Sequence, residues 1–401
     1  MPDKFTEVTS RGWGSNIMNS IKGVVFGLIL FIGSFVVLWM NEGRQDMSEA
    51  AELCMPIKPD MVQADAEGKP VCVSAEMTSE EMLGDPEFLI PGDYITLSRQ
   101  VEMFAWVENQ SSEEKKKIGG GTETVTTYTY EKKWTSSSSV STNFRYPEGH
   151  ENPTSTIEDK SFTVQSAKVG SYNVAVDRLS LPGENPVEIK QNMLISSQPQ
   201  STGDKIVQKT STGGDVIVEG GSAPASRRLE GGFIYIGKGS FQSPGLGDVR
   251  IKYNAFPKNI YVTVFGKLQG DRIVPFMYKG EHKLYRAFTA EPDEAIAILA
   301  KEHKVTGWIF RAIGFAMMWI GLSMFFGPIN AVLDVLPILG SVGRGIVSFV
   351  MFFVALILSV VTVLISMIAH NLIALIITLV IIITVGIVLL RRAKKKSPAQ
   401  A

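Results

Sequence analysis

Residues 23–40 read GVVFGLILFIGSFVVLWM and contain no charge. An uncharged apolar run of about 18 or more residues is long enough to cross the hydrocarbon core of a bilayer as a helix. A second stretch, residues 345–390, also lacks Asp, Glu, Lys and Arg, and its one titratable group is His370. At about 1.5 Å per residue that stretch is too long for one crossing. It divides naturally at Ala369-His370-Asn371. Between the oily ends lies a long polar stretch of ordinary composition. This layout predicts a membrane protein that holds one large polar domain on one side of a bilayer.

The first span, 23–40, is bracketed by Lys22 and by Asn41-Glu42-Gly43-Arg44, with Trp39 where interfacial aromatic belts form. A cleaved signal peptide would need a small-x-small site after the apolar run. The chain offers Leu38-Trp39-Met40-Asn41 instead, so the run reads as an uncleaved anchor. A second span is expected over 308–329, with Trp308 and Arg311 at its entry and Arg311 snorkelling toward headgroups. The third and fourth spans are 345–368 and 371–390. Four spans put the segment 1–22 and the tail 391–401 on one side. The tail carries Arg391, Arg392, Lys394, Lys395 and Lys396, the amino-terminal flank Lys4, Arg11 and Lys22, and the connection 330–344 carries Arg344. Basic residues favour the cytoplasmic side, so the polar domain, 41–307, is expected to be periplasmic, lumenal or extracellular, although Arg44, Lys301, Lys304 and Arg311 lean the other way.

Within the polar domain a short helix over 44–53 ends at Pro56 and Pro59. From Tyr94 onward the pattern is that of strands. Val101, Met103, Ala105 and Val107 alternate with more polar neighbours, and Thr124, Thr126, Tyr128 and Tyr130 share a face. The charged segment Glu113-Glu114-Lys115-Lys116-Lys117-Ile118-Gly119-Gly120-Gly121 between these two strands reads as a hairpin tip. Further strands are expected over 161–167, 171–176, 215–218, 233–236, 248–255, 259–267 and 272–278, with long mobile loops over 197–231 and a helix over 292–303. The fold class is therefore an α+β membrane protein: one amino-terminal and three carboxy-terminal spanning helices around a large, mostly antiparallel β-rich extracytoplasmic domain.

Chemistry is sparse. Net charge is -1, which excludes the basic footprint a nucleic-acid binder needs. No Gly-x-Ser-x-Gly elbow, His-Glu-x-x-His or P-loop occurs, and Gly237-Lys-Gly239 and Gly245-Leu-Gly247 read as turns. The four histidines, His150, His282, His303 and His370, are scattered without metal-ligand spacing. No catalytic residue, metal or cofactor is assigned. Cys54 and Cys72 both lie in the translocated domain, where a disulfide and a pair of free thiols are both open readings. Gly23, Gly27, Gly314 and Gly321 are candidate helix-packing positions, for packing within the chain or for oligomerisation. The segment from Gly327 to Gly345 contains Pro328, Asp334, Pro337 and Arg344 and reads as an amphipathic piece in the cytoplasmic interface. Asp334 either faces water there or, at bilayer depth, marks function. Ser348, Ser359, Thr362, Ser366, Thr378 and Thr384 are poor material for an ion path.

From Asn41-Glu42-Gly43-Arg44 onward the chain resembles the transmembrane protein 43 family, also called LUMA. The resemblance continues through 101–108 with Trp106, Tyr128 to Trp134, Gly149-His150-Glu151-Asn152-Pro153, Gly247-Asp248-Val249-Arg250, 270–276, Gly321-Leu322 and Asp334-Val335-Leu336-Pro337. It implies a four-span protein that in animals lies in the inner nuclear membrane and endoplasmic reticulum, self-associates, and organises the nuclear envelope with lamins and emerin. The amino-terminal stretch Phe5 to Ser10 and the longer Ser- and Gly-rich loops look like bacterial members. That points to a bacterial inner membrane with a periplasmic domain and away from lamin and emerin. The expectation is a non-enzymatic membrane scaffold whose partners are the lipid bilayer, further copies of itself and other membrane proteins. A lipid or envelope-stress sensor and a channel or transporter component are the alternatives.

Overall fold

Strand Tyr94–Lys116 frames the polar domain. Ile95, Leu97, Arg99, Val101, Met103 and Ala105 are buried and the residues between them are half-buried, as period-2 alternation on a half-covered sheet requires. The computed structural model describes residues 3–136, 141–195, 200–201, 206–209, 215–218, 227–280, 282–333, 337–371, 376, 380 and 383–384. The expected fourth span, Asp334 and the basic tail lie wholly or largely outside the described residues. The chain forms two compact units, one of residues 1–6, 47–111 and 127–299, the other of residues 7–46, 112–126 and 300–401.

The first unit is built on two sheets. One has eight strands and runs Asp3–Arg11, Thr122–Thr135, Tyr94–Lys116, Val249–Pro257, Phe233–Ile236, Arg227–Glu230, with Lys160–Thr163 and Asn185–Pro186 on its side. The other has seven strands, and five of them close on themselves. Pro70–Thr78 pairs with Ala167–Val169, then Tyr172–Val174, Arg272–Val274 and Ile260–Gln269, which pairs back to Pro70–Thr78. Closure removes the exposed edges that invite unwanted pairing. Val71, Val73, Met77, Tyr172, Val264 and Ile273 belong to the core cluster of this sheet. A second cluster, with Leu97, Met103, Ile234 and Ile251, belongs to the eight-stranded sheet.

Antiparallel pairing predominates as expected, but Met55–Ile57 on Pro70–Thr78 and Tyr172–Val174 on Arg272–Val274 are parallel. One further expectation is corrected in part. Within 197–231, read as loops apart from strand 215–218, the expected strand Asp215–Val218 pairs antiparallel with Ile206–Lys209 and that with Gln200–Ser201, and strand Arg227–Glu230 follows. The amino-terminal segment, for which no element was expected, forms strand Asp3–Arg11.

The second unit is helical. Helix α1 covers Trp13–Glu42; α2, in the first unit, covers Met47–Glu52; α3 covers Pro292–Phe325, α4 Gly327–Leu333 and α5 Pro337–His370. Among the described residues, three helices are long and apolar enough to cross a membrane, those within 13–52, 292–325 and 345–370. The expected helix 292–303 and the second span are one continuous helix, since nothing between Lys301 and Trp308 breaks it. Within 330–344, read as an interfacial piece, residues 330–333 belong to α4 and residues 337–344 to the first turns of α5, which Pro337 can open because its missing N–H costs no bond there.

Helices α1 and α3 run antiparallel and meet at glycines. A Cβ on Gly27 would lie 2.9 Å from the Gly321 carbonyl oxygen, and one on Gly321 would lie 2.8 Å from the Gly27 oxygen and the Phe31 nitrogen. Gly314 faces Leu38, and Gly23 faces Met324. Gly27 and Gly321 therefore let α1 and α3 of the same chain approach backbone to backbone, while Gly314 makes room for the Leu38 side chain. Helix α5 adds Ala355 to Leu38 and Met318 in the buried seam, and Trp319 Nε1 donates to the Ser348 carbonyl at 2.9 Å. At the start of α1, Asn16 Nδ2 donates to the Gly120 carbonyl at 2.9 Å and to Thr122 Oγ1 at 2.8 Å. These bonds join the hairpin tip to the start of α1, two segments that the charge-based orientation puts on opposite faces of a membrane.

Candidate functional site

The signature Asn41-Glu42-Gly43-Arg44 closes α1 and joins its end, the middle of α3 and the end of α5 in a polar collar. Opposite it α3 presents His303, Gly307 and Arg311, spaced four residues apart and so on one face. Arg311 Nε and Nη2 donate to the two Glu42 carboxylate oxygens at 2.8 and 2.7 Å, a bidentate pair in which the Glu42 side chain is 6% exposed. Arg311 therefore does not snorkel alone, as the sequence suggested; it is held by Glu42 and lies over the Trp308 ring at 5.0 Å.

Asn41 Nδ2 donates to the Gly307 carbonyl at 3.2 Å and to Glu42 Oε1 at 3.1 Å. Arg44 Nη2 donates to the His303 carbonyl at 2.8 Å, and its guanidinium lies over Phe310. From α5, Ser366 Oγ donates to the Trp39 carbonyl at 3.1 Å, and His370 packs on Trp39 with ring centroids 5.0 Å apart. A Cβ on Gly43 would lie 2.5 Å from His370 Nε2, so a larger residue there would have to displace that imidazole. Two buried polar atoms of the collar have no partner, Asn41 Oδ1 and Arg44 Nε.

A second group of signature residues converges in the first unit. Gly149, at φ 81, takes the left-handed conformation that turns the chain into His150. His150 is 2% exposed. It stacks on Tyr130 at 4.0 Å, meets the Trp106 edge at 4.8 Å, and places Nδ1 2.9 Å from the Tyr146 carbonyl and Nε2 3.1 Å from Asp3 Oδ2. Burial, then a hydrogen bond to Glu108, pushes the Tyr130 hydroxyl up to about 12. Asn152 grips the strand at Trp106, accepting from its N–H at 2.7 Å and donating to its carbonyl at 2.9 Å. Pro153 packs on Gly247. Trp134 stands apart, 4.6 Å from the Arg250 guanidinium and 5.9 Å from Tyr235. Pro337 begins α5.

Two further buried networks were not assembled from the sequence. Asp85, fully buried, accepts from Arg99 Nη1 at 2.9 Å and from the Tyr253 hydroxyl at 2.6 Å, and Arg99 also reaches Glu87 at 2.6 Å. Burial, followed by the bond to Asp85, drives the Tyr253 hydroxyl well above its ordinary value. Asp248 accepts from the Tyr235 hydroxyl at 2.5 Å and from the backbone N–H groups of Lys238, Gly239 and Gly245 at 3.1, 3.0 and 2.7 Å. The glycine-rich turns at 237–247 thus wrap the chain's own carboxylate. Only in three dimensions do these residues meet; the readable signals were the alternating strand that places Arg99 on its buried face and the place of Asp248 in Gly247-Asp248-Val249-Arg250.

Cys54 and Cys72 are free and buried, in line with the free-thiol reading of the two left open. They sit beside Phe265, Leu284 and Phe288, and burial pushes the two thiols up to about 12 and about 11 respectively. Among the described residues no group of three or more His, Cys, Asp or Glu side chains could hold a metal ion.

The model of the family described as Transmembrane protein 43 matches residues 103–373. The human Transmembrane protein 43 is 26% identical over 348 residues, covering 84% of this chain and 81% of its own length. The rat protein is 24% identical over 349 residues with the same coverage, and the Drosophila melanogaster homolog is 23% identical over 312 residues, 75% of each chain. No solved structure matches. With more than half of its length covered by the family model, the chain belongs to the Transmembrane protein 43 family.

Proposed function

We propose that this membrane protein is a non-enzymatic, multi-pass scaffold that self-associates and organises other proteins of its membrane. One observation carries the reading: the signature residues are spent on joining elements. Asn41, Glu42 and Arg44 tie α1 to α3, and Trp106, His150 and Asn152 tie a strand to the segment 146–152. None of them lines a cleft with a nucleophile and a base. A channel role gains no support from α5, whose hydroxyls turn back on the backbone. Ser359 donates to the Ala355 carbonyl at 2.6 Å and Thr362 to the Leu358 carbonyl at 2.7 Å. The compartment is a bacterial inner membrane, or the inner nuclear membrane and endoplasmic reticulum with lamin and emerin as partners in a eukaryote.

Crosslinking in native membranes at natural abundance tests the scaffold. Ladders of homo-oligomer and captured membrane neighbours are expected. A strictly monomeric protein with no neighbours removes the proposal, and flux through the purified protein in liposomes would replace it with a channel.

A further inference from the structure

Among the described residues, one charge and one acceptor of the collar are left unmatched. Arg44 has no carboxylate partner among the described residues; the His303 carbonyl takes one of its donors, and its Nε is buried without an acceptor. Arg311, two turns away from His303 along α3, is by contrast neutralised by Glu42. Asn41 is 7% exposed, its amide N–H groups are spent on Gly307 and Glu42, and its Oδ1 lacks a donor. A polar atom buried without a partner carries the full cost of its lost hydration. Such a pair persists where something else matches it.

The depth of the collar says what is at hand. Trp39 and Trp308, 44% and 68% exposed, flank it at the ends of two spanning helices, the position at which aromatic belts mark the headgroup layer. At that level the abundant anion is a phospholipid phosphate. A guanidinium pairs with phosphate through charge-assisted bonds, and an amide oxygen one helical turn away suits an N–H or O–H carried by the same headgroup.

We infer that the collar binds the headgroup of a glycerophospholipid, with Arg44 taking the phosphate and Asn41 Oδ1 accepting from a headgroup amine or hydroxyl. The selectivity follows directly. Phosphatidylethanolamine and phosphatidylglycerol supply both halves, phosphatidylcholine supplies the phosphate without a donor, and diacylglycerol supplies neither. The inference uses the membrane placement of the helices and is independent of the scaffold proposal. A protein without oligomers can still bind the lipid, and an oligomer can form without it.

The test is native mass spectrometry of the full-length protein in detergent, titrated with short-chain phosphatidylethanolamine, phosphatidylglycerol, phosphatidylcholine, diacylglycerol and inorganic phosphate. One saturable lipid per chain is expected. The two donor-bearing lipids should bind about tenfold tighter than phosphatidylcholine, the worth of one hydrogen bond to a buried partner. Diacylglycerol and inorganic phosphate should not saturate the site in the same range. Arg44→Gln should weaken all three phospholipids by about tenfold or more, with partial rescue in Arg44→Lys. Asn41→Leu should bring the donor-bearing lipids down to the phosphatidylcholine level and leave phosphatidylcholine unchanged.

The series on the unaltered protein decides the matter even if a variant folds poorly. Equal binding of diacylglycerol overturns the phosphate contact, and equal binding of inorganic phosphate overturns the lipid as its carrier. An equal loss in Lys301→Gln, a nearby basic residue outside the collar, overturns the site in favour of diffuse surface charge.

Discussion

Replacing Arg311 by Leu should destabilise the helical unit far more than replacing Glu42 by Gln, although both remove the same ion pair. The asymmetry comes from burial. The Glu42 side chain is 6% exposed and the Arg311 side chain 29% exposed. In Arg311→Leu the carboxylate loses two bonds, at 2.8 and 2.7 Å, and keeps only the Asn41 amide at 3.1 Å. Removing one partner of a buried pair leaves an uncompensated charge and costs about 3–5 kcal/mol. In Glu42→Gln the amide still accepts one bond, and Arg311 can extend along Trp308 toward water, so the cost falls to about 1–2 kcal/mol. At roughly 2 °C per kcal/mol these become drops of about 6–10 °C and about 2–4 °C in Tm. The double change Glu42→Leu with Arg311→Leu should recover much of the larger loss, since a well-packed apolar pair often replaces a buried ion pair without penalty. Thermal unfolding of the full chain in detergent, followed by tryptophan fluorescence over the full double-mutant cycle, measures all three. Equal Tm shifts for the two single variants, or a double variant no better than Arg311→Leu, would refute the reasoning.

Three further outcomes are expected. Asn152→Ala should cost about 2–4 kcal/mol by freeing both backbone groups of Trp106, and loss of hydrogen-exchange protection should centre on residues 104–108. Cys54 and Cys72 have folded-state values of about 12 and about 11, above the 9.0 of an ordinary thiol. Folding therefore favours their protonated forms, so their contribution is complete below pH 9 and is lost as pH rises through 11 to 12. Stability measured over that range should fall less steeply in Cys54→Ala with Cys72→Ala than in the unaltered chain. Finally, cysteines placed at Asn16 and Ile118 in a Cys54→Ser, Cys72→Ser background should react with an impermeant maleimide from the same face of the membrane, as the Asn16 bonds to Gly120 and Thr122 require. Labelling from opposite faces would restore the orientation read from basic residues.

The sequence exposed what depends on one solvent or one period. The apolar runs located the helices because hydrocarbon leaves a chain no choice but to bond its backbone internally. The alternation around Met103 located the central strand because a half-covered sheet sorts its side chains two by two. What stayed hidden depends on pairing at long range. Glu42 and Arg311 look like unrelated flanks of two spans until α1 and α3 are laid antiparallel. Strand Asp3–Arg11 carries mostly polar side chains and is exposed along nearly its whole length, so no hydrophobic rhythm announces it. Asp85, Arg99 and Tyr253 meet from three separate segments. The thiols were undecidable for another reason, since compartment alone makes a disulfide permissible without bringing two sulfurs into bonding geometry.

The glycines bear most directly on the scaffold proposal. Gly27 and Gly321 are consumed by the contact between α1 and α3 of one chain, where each backbone occupies the space a side chain would need. They are therefore not available to a second copy unless that contact opens. What α5 turns outward is a stripe of Phe353, Ile357, Val361 and Leu364, all exposed. In a bilayer such a stripe meets acyl chains as apolar as itself, so no hydrophobic force drives two copies together along it. Hydroxyls that could bond across helices, those of Ser359 and Thr362, are already bonded within α5. If copies associate, the specificity has to come from polar surface outside the hydrocarbon layer, which shifts the expected contact from the spans to the β-rich domain.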